Sequence, residues 1–261
     1  MTGQEYLKNK NKSLILTLAS LVIILTVTSI FVRFDFSTFV RIPSAVYKMK
    51  EVYFPPEFLD ADILLKATLD TMFAAVTATV VSSILAYISA ILAMRTSKRN
   101  FMKYFIKFIA AVSRNVPNLI WALILVYALY FWTGSLVAFL ALFLASYGLL
   151  VRTFSDVIGQ VGAESVEALS STGASYTKIV VRAIVPETLP AIVSWGLYAL
   201  ELNIRNSAII GMVSGAGLGF WIENDKHEFF TNRMFGTVLI VTLLVLATDI
   251  LVTNIRARLQ S

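Results

Sequence analysis

The sequence predicts an all-α integral membrane protein with six transmembrane helices, and three observations carry that expectation. Of 261 residues, 57% are hydrophobic and only 15% charged, with a mean hydropathy of +0.77; soluble domains run at roughly 45 to 50% and about 25%. Apolar runs recur along the chain, most of them close to the ~20 residues a helix needs to cross hydrocarbon. The basic residues between the runs are unequally shared by the two sides. A soluble enzyme is excluded by this composition. With no cysteine in the chain, a disulfide framework, a thiolate metal site and a cysteine nucleophile are excluded as well.

The first run, Leu14 to Val32, follows Lys8, Lys10 and Lys12 and ends at Arg33. It is longer than a signal-peptide core and carries no small-residue cleavage site, so it reads as a retained span. A segment rich in aromatics, with Pro43, Pro55 and Pro56, follows as an ordered external excursion. Further uncharged runs extend over Thr71 to Met94, Val116 to Thr133 and Ser135 to Val151. The last two are separated only by Gly134, which predicts a tight helical hairpin. A fifth span, about Pro190 to Val213, contains Glu201 and Arg205, and a sixth, about Met234 to Ile255, contains Asp249. Between the second and third runs, Phe101, Phe105, Phe108 and Val112 recur at helical spacing opposite Lys103, Lys107 and Arg114. That pattern fits an interfacial helix or an extension of the third span.

Orientation follows from charge. One side holds Lys8, Lys10, Lys12, Arg95, Lys98, Arg99, Lys103, Lys107, Arg152, Lys178, Arg182, Arg256 and Arg258. The other holds Arg33, Arg41, Lys48, Lys50, Lys66, Lys226 and Arg233. The richer side is cytoplasmic, which puts both termini inside. The lipid bilayer then accounts for a sequence pI near 9.5, and no nucleic acid is needed. The domain division expected is residues 1–66 (tail, first span, external segment) and 67–261 (a core with a cytoplasmic loop at about 152–187).

Several chemistries have no residues to carry them. No G-x-x-x-x-G-K-[ST] run is present, so ATP must be handled by another subunit. His227, the single histidine, sits in an expected solvated outer loop with Glu223, Asp225 and Glu228, a poor metal set. Gly215, Gly217 and Gly219 do not fit a dinucleotide turn; glycines there suit a broken helix or an outer gate. No cofactor is expected, and no acid, base or nucleophile cluster marks an enzyme.

Within the inner loop, Val161 to Gly173 reads as a helix ending at Gly173, and about Ser175 to Val185 as a second helix stopped by Pro186, together a helix-turn-helix elbow. Glu164, Glu167, Ala168, Leu169, Ser170, Gly173, Ala174, Ser175 and Pro186 lie on it. Small residues would let a partner's groove approach, and Glu167 offers an ionic anchor.

This elbow resembles the inner loop of the permease subunits of binding-protein-dependent ABC importers: Glu-Ala-Ala, three residues, Gly, nine residues, Ile, one residue, Leu-Pro. Glu167, Ala168, Gly173 and Pro186 hold the matching positions, while Leu169 replaces the second Ala, Ala183 the Ile and Val185 the Leu. The resemblance is closest to the phosphonate-import permease family. Its features are Pro55-Pro56, Asn115-Val116-Pro117, Asn203-Ile204-Arg205-Asn206-Ser207, Gly215-Ala216-Gly217-Leu218-Gly219 and Asp249. Methionine-type permeases share the core, and phosphate or phosphite relatives share much of the rest. The resemblance implies a five-helix type I importer core, methionine-permease-like, with a cytoplasmic coupling helix, working as a homodimer in the bacterial cytoplasmic membrane. Implied partners are a dimer of ATP-binding subunits and an extracytoplasmic solute-binding protein; the implied cargo is a phosphonate or a related phosphorus oxyanion.

Inside the spans, Glu201 and Arg205 are four apart and share one helical face. Either they neutralise each other, or Arg205 lines a translocation path with Asn203, Asn206 and Ser207. In the second case Arg205 accepts an anionic headgroup through its planar fork. Asn115 and Asn118 flank Pro117 at the inner mouth, as helix caps or as part of a gate. A proton-coupled carrier relaying protons through Glu201 or Asp249 is the rival reading; such a carrier has no use for the elbow.

Overall fold

The computed structural model describes residues 3–32, 41–94, 101–129, 134–161 and 163–260; side chains are described at 12–32, 41–94, 101–129, 134–160 and 165–258. Among the described residues all regular structure is helical. The chain forms two compact units, Met1–Phe54 and Pro55–Ser261.

The described residues of the first unit form two helices. In α1, Gly3–Phe31, the stretch Lys12–Phe31 is apolar on every side and its large side chains are exposed. Thr17, Thr26 and Thr28 donate their hydroxyls to carbonyls one turn back, at 2.7 to 2.8 Å. These hydroxyls are therefore satisfied without water, as hydrocarbon demands. The expected external excursion contains a helix, α2, Ile42–Tyr53, with a proline in its first turn.

The second unit carries the bundle. Long apolar helices span Ala61–Met94 (α3), Gly134–Val161 (α6), Val185–Ser214 (α9) and Thr231–Gln260 (α11). With α1, they make five helices long and apolar enough to cross a bilayer. A further pair is bent: α4, Phe101–Asn115, meets α5, Asn118–Ala128, at 99°, and only the two together are long and apolar enough for a sixth crossing. Of the two expectations for Phe101–Arg114, the 99° angle rules out a straight extension of the third span. Pro117 has no N–H to continue α4, so it caps α5 instead, accepting from Ile120 and Trp121 at 2.9 and 3.1 Å. Across the bend, the Trp121 indole N–H donates to Ser113 O at 3.1 Å and fixes the angle. Residues 130–133, with Trp132 and the hairpin turn, lie outside the described residues.

Packing centres on α3. Its inward face reads Ala67, Thr71, Ala75, Ala78, Thr79, Ser82, Ala86, Ala90 and Ala93, all buried. Its outward face carries exposed Phe73, Val80, Ile84, Ile88 and Leu92. Lipid is as apolar as leucine, so a helix gains little by burying large side chains here; small residues let backbones approach and gain dispersion instead. Into that stripe fit Leu142, Leu150 and Phe154 of α6 and Ile204 and Ile210 of α9, each nearly or wholly buried.

The elbow differs from expectation at its second helix. Pro186 does not stop it: α8, Tyr176–Ile179, passes through a π-helical turn, Val180–Ile184, into α9. Widening the spacing, with Val185 N–H donating to Val180 O, carries the chain past a residue that has no N–H to give. The fifth span thus belongs to a 39-residue helical stretch, Tyr176–Ser214.

If small residues set the α3 approach, Ala86→Leu overpacks it by about 1–3 kcal/mol, whereas lipid-facing Ile88→Leu stays within about 0.5 kcal/mol. Thermal unfolding of the two variants in detergent measures the difference.

Candidate functional site

The elbow begins with α7, Ala163–Ser171. Gly173 takes φ +74°, and a Schellman motif closes the helix there. Gly173 N–H donates to Ser170 O at 3.0 Å and Ala174 N–H to Leu169 O at 3.3 Å. Val166, Leu169 and Ala174 pack inward on the cluster around Phe154. Glu167, Ala168, Ser170 and Ser171 face outward and are exposed, as are Gly173, Ser175 and Pro186. The Ser170 and Ser171 hydroxyls fold back onto Glu167 O at 2.8 and 2.9 Å, leaving the α7 surface smooth. The side chain of Glu164 lies outside the described residues.

Two bonds tie this elbow to the spans. Tyr176 donates its hydroxyl to Ile91 O, near the end of α3, at 2.6 Å. Ser165 donates to the Glu187 carboxylate in the first turn of α9. A displacement of α7 therefore reaches both α3 and α9.

Higher on α9 the expected path residues divide into two groups. Asn118, Asn203 and Asn206 border one cavity of about 190 Å³, together with Arg114 and Ser146. Asn203 is 2% exposed and joins three helices: it accepts from Ser146 Oγ of α6 at 2.8 Å and donates to Thr79 Oγ1 of α3 at 2.9 Å. Ser207 is also buried but returns its hydroxyl to Ile204 O at 2.7 Å. Asn115 is exposed at the end of α4 and is not among the residues lining the cavity.

Glu201 and Arg205 form the second group, away from the cavity lining. Arg205 Nη2 donates to Glu201 Oε1 at 2.9 Å, as the four-residue spacing predicts. Sequence reasoning missed Arg256, whose Nη2 stands 3.9 Å from Glu201 Oε2 and whose guanidinium lies over the Tyr198 ring at 5.5 Å. Its Nε and Nη2 are buried without a hydrogen-bond partner. Two guanidiniums thus share one carboxylate. Fifty-five residues separate Arg256 from Glu201, and no local spacing signals such a contact. Ser146 and Thr79 were missed too; hydroxyls are common in membrane helices and carry no signal by themselves.

At the far end of α9, Gly215 takes φ +76° and closes the helix, and α10, Gly217–His227, turns away from it. A side chain at Gly219 would strike Ala208 O, and one at Gly217 would strike Thr71 Oγ1, which already accepts Leu218 N–H at 2.9 Å. Gly217 and Gly219 form a tight corner where α3, α9 and α10 meet, and Gly215 turns the chain into it.

The expected solvated outer loop is a helix with a buried carboxylate, which corrects that reading. Asp225 is fully buried because Arg233, eight residues on, clasps it from Nε and Nη2 at 2.9 and 2.6 Å. Glu223 bonds Lys226 at 3.0 Å, which holds its carboxyl below the usual carboxylate range, and His227 Nε2 stands 3.1 Å from the same oxygen. Its stabilising share is present above the ordinary carboxylate pKa and is lost as pH falls through the lowered value.

Comparison with known proteins bears on all of this. The family described as "Binding-protein-dependent transport system inner membrane component" matches residues 82–261. HtxC of Stutzerimonas stutzeri, named as a permease protein of a phosphite transport system, is 29% identical over 204 residues, 78% of this chain and 72% of its own. The phosphate-import permease protein PhnE of Mycolicibacterium smegmatis is 29% identical over 203 residues, 77% of this chain but 38% of its own. Among solved structures, the inward-facing MetNI methionine ABC transporter aligns with a TM-score of 0.65 at 16% identity, covering 77% of this chain and 99% of that one. The fold is therefore that of a type I importer permease.

The Asn203 junction makes a measurable claim. In a double-mutant cycle of Asn203→Ala and Ser146→Ala, unfolding in detergent yields a coupling of about 0.6 and at most about 1.7 kcal/mol, the range for buried polar pairs between membrane helices. Strict additivity would remove the link.

Proposed function

Because this chain belongs to the family of binding-protein-dependent transport system inner membrane components, we propose that it is the permease subunit of an ABC importer carrying a phosphonate or a closely related phosphorus oxyanion across the bacterial cytoplasmic membrane. A second copy completes the path, a dimer of ATP-binding subunits grips the elbows, and an extracytoplasmic solute-binding protein delivers the cargo. Both termini are cytoplasmic. The permease itself catalyses nothing.

One observation carries the coupling: α7 exposes a smooth face of Glu167, Ala168, Ser170 and Ser171 while Val166 and Leu169 lock its other side to the core. A face so built transmits a push as a rigid body. Closure of the ATPases moves α7; the Tyr176 and Ser165 bonds move α3 and α9 with it. Those helices meet again at Asn203, so the cavity of Asn118, Asn203 and Asn206 opens and shuts with their relative tilt. The amides and Arg114 suit an oxyanion in transit, since amide N–H groups and a guanidinium fork donate to its oxygens. Arg205, exposed and already paired with Glu201, offers a second cation on the way. The glycine corner at 215–219 acts as the outer hinge. The phosphorus cargo is supported by the relatives HtxC and PhnE.

Uptake into vesicles containing the reconstituted complex tests the reading. Glu167→Arg reverses charge on the docking face, and Gly173→Leu forces a left-handed backbone at a cost of about 1–2 kcal/mol. Both should lower ATP-driven phosphonate uptake by about ten-fold or more while the protein still inserts. Normal uptake in either variant contradicts coupling through α7. Arg205→Ala should weaken transport if its guanidinium meets cargo; unchanged uptake confines it to its pair with Glu201.

A further inference from the structure

A second cavity, of about 280 Å³, lies between α4 and α6, and it holds more positive charge than the fold requires. Lys107 and Arg114 of α4 face Arg152 of α6 across it, and Asp156 is the lone carboxylate on its wall among the described residues. Arg152 reaches Asp156 only at 3.8 Å, with both side chains about two-thirds exposed, a pair of little strength. Lys107 and Arg114 have no carboxylate partner among the described residues. Close approach of the two helices creates this convergence: a Cβ at Gly148 would lie 2.6 Å from Arg114 N and 2.7 Å from Ala110 O. Only glycine there lets α4 lie against α6 with its cations over the cleft.

The rest of α4 fixes the depth of the cleft. Phe101, Phe105 and Phe108 are exposed, with Phe101 and Phe105 stacked 5.9 Å apart. An aromatic face with basic flanks is the pattern of a helix that lies in the interface, at the level of lipid phosphates. The cleft floor is aliphatic, from Ala110, Ala111 and Val151.

We infer that this cleft is a binding site for a phosphate-bearing anion, held by Lys107, Arg114 and Arg152. Two guanidinium forks and one ammonium match tetrahedral oxygens, and basic pockets between membrane helices on the cytoplasmic side take anionic headgroups. Two sources bring that group here. One is the headgroup of an anionic phospholipid. The other is a free phosphorus oxyanion leaving the neighbouring Asn203 cavity, which Arg114 also borders; this second source rests on the proposed function, and the first does not.

The test uses the full-length permease in two arms. In the first, nanodiscs of phosphatidylcholine doped with cardiolipin are opened in detergent, and retained lipid is counted by native mass spectrometry. In the second, pure phosphatidylcholine discs are titrated with radiolabelled inorganic phosphate. The same measurements are made on Lys107→Gln/Arg152→Gln and on the charge-preserving Lys107→Arg/Arg152→Lys. Cardiolipin retained by the natural protein, reduced about ten-fold or more in the Gln variant and kept in the charge-preserving one, supports the site with lipid as its source. Saturable phosphate binding with the same pattern supports it with the free anion as its source. Retention equal in the natural protein and the Gln variant overturns the inference. So does a natural protein that neither prefers cardiolipin nor binds phosphate, whatever the variants do. Neither arm uses ATP or uptake, so a failure of coupling through α7 leaves the result readable.

Discussion

Backbone proximity between α3, α6 and α9 is the constraint on which the rest of this molecule depends. In water a core is held by large apolar side chains; between lipid-facing helices that force is absent, and approach distance decides stability. The alanine, serine and threonine stripe of α3 supplies the approach, and the wholly buried Ala75, Ala78, Ala86 and Ala90 mark where there is no room for more. Gly148 does the same for α4 against α6. From these close contacts follow the cavities, because polar groups on α3, α6 and α9 come within reach of one another only when the backbones do.

Polar residues then act as registers. Asn203 bonds α3 and α6 at once, Thr188 of α9 meets Tyr87 of α3 at 2.9 Å, and Ser89 meets Tyr147 of α6 at 2.9 Å. Each such pair fixes how far one helix has slid along another. The elbow sits at one end of this set of registers, joined to α3 through Tyr176 and to α9 through Ser165. In the proposed mechanism, input at α7 is shared by these two helices.

How much of this was legible depends on range along the chain. Spans showed themselves as uncharged runs, Glu201 and Arg205 as a four-residue spacing, and the elbow as a glycine at the right distance from Glu167. What failed was either geometric or distant. Hydropathy records no angles, so the 99° turn at Pro117 was invisible although the proline was in view. Pro186 read as a stop because sequence rules assume α-helical spacing, and a π turn evades them. Asp225 read as solvated because nothing near it announces Arg233's clasp. Asn203 with Ser146, and Glu201 with Arg256, are 57 and 55 residues apart, and only the packed bundle brings them together.

The proposed transport depends on an ATP-hydrolysing subunit gripping α7. The chain has no cysteine, so a single thiol introduced by Ala168→Cys labels the exposed face of α7 alone, and Phe229→Cys labels the turn between α10 and α11. Crosslinking of each variant with a short thiol-to-amine reagent in the assembled transporter is the direct measurement. An adduct between permease and ATPase subunit from Ala168→Cys, with none from Phe229→Cys, is the result expected. No adduct at position 168, or an equal one at position 229, contradicts it.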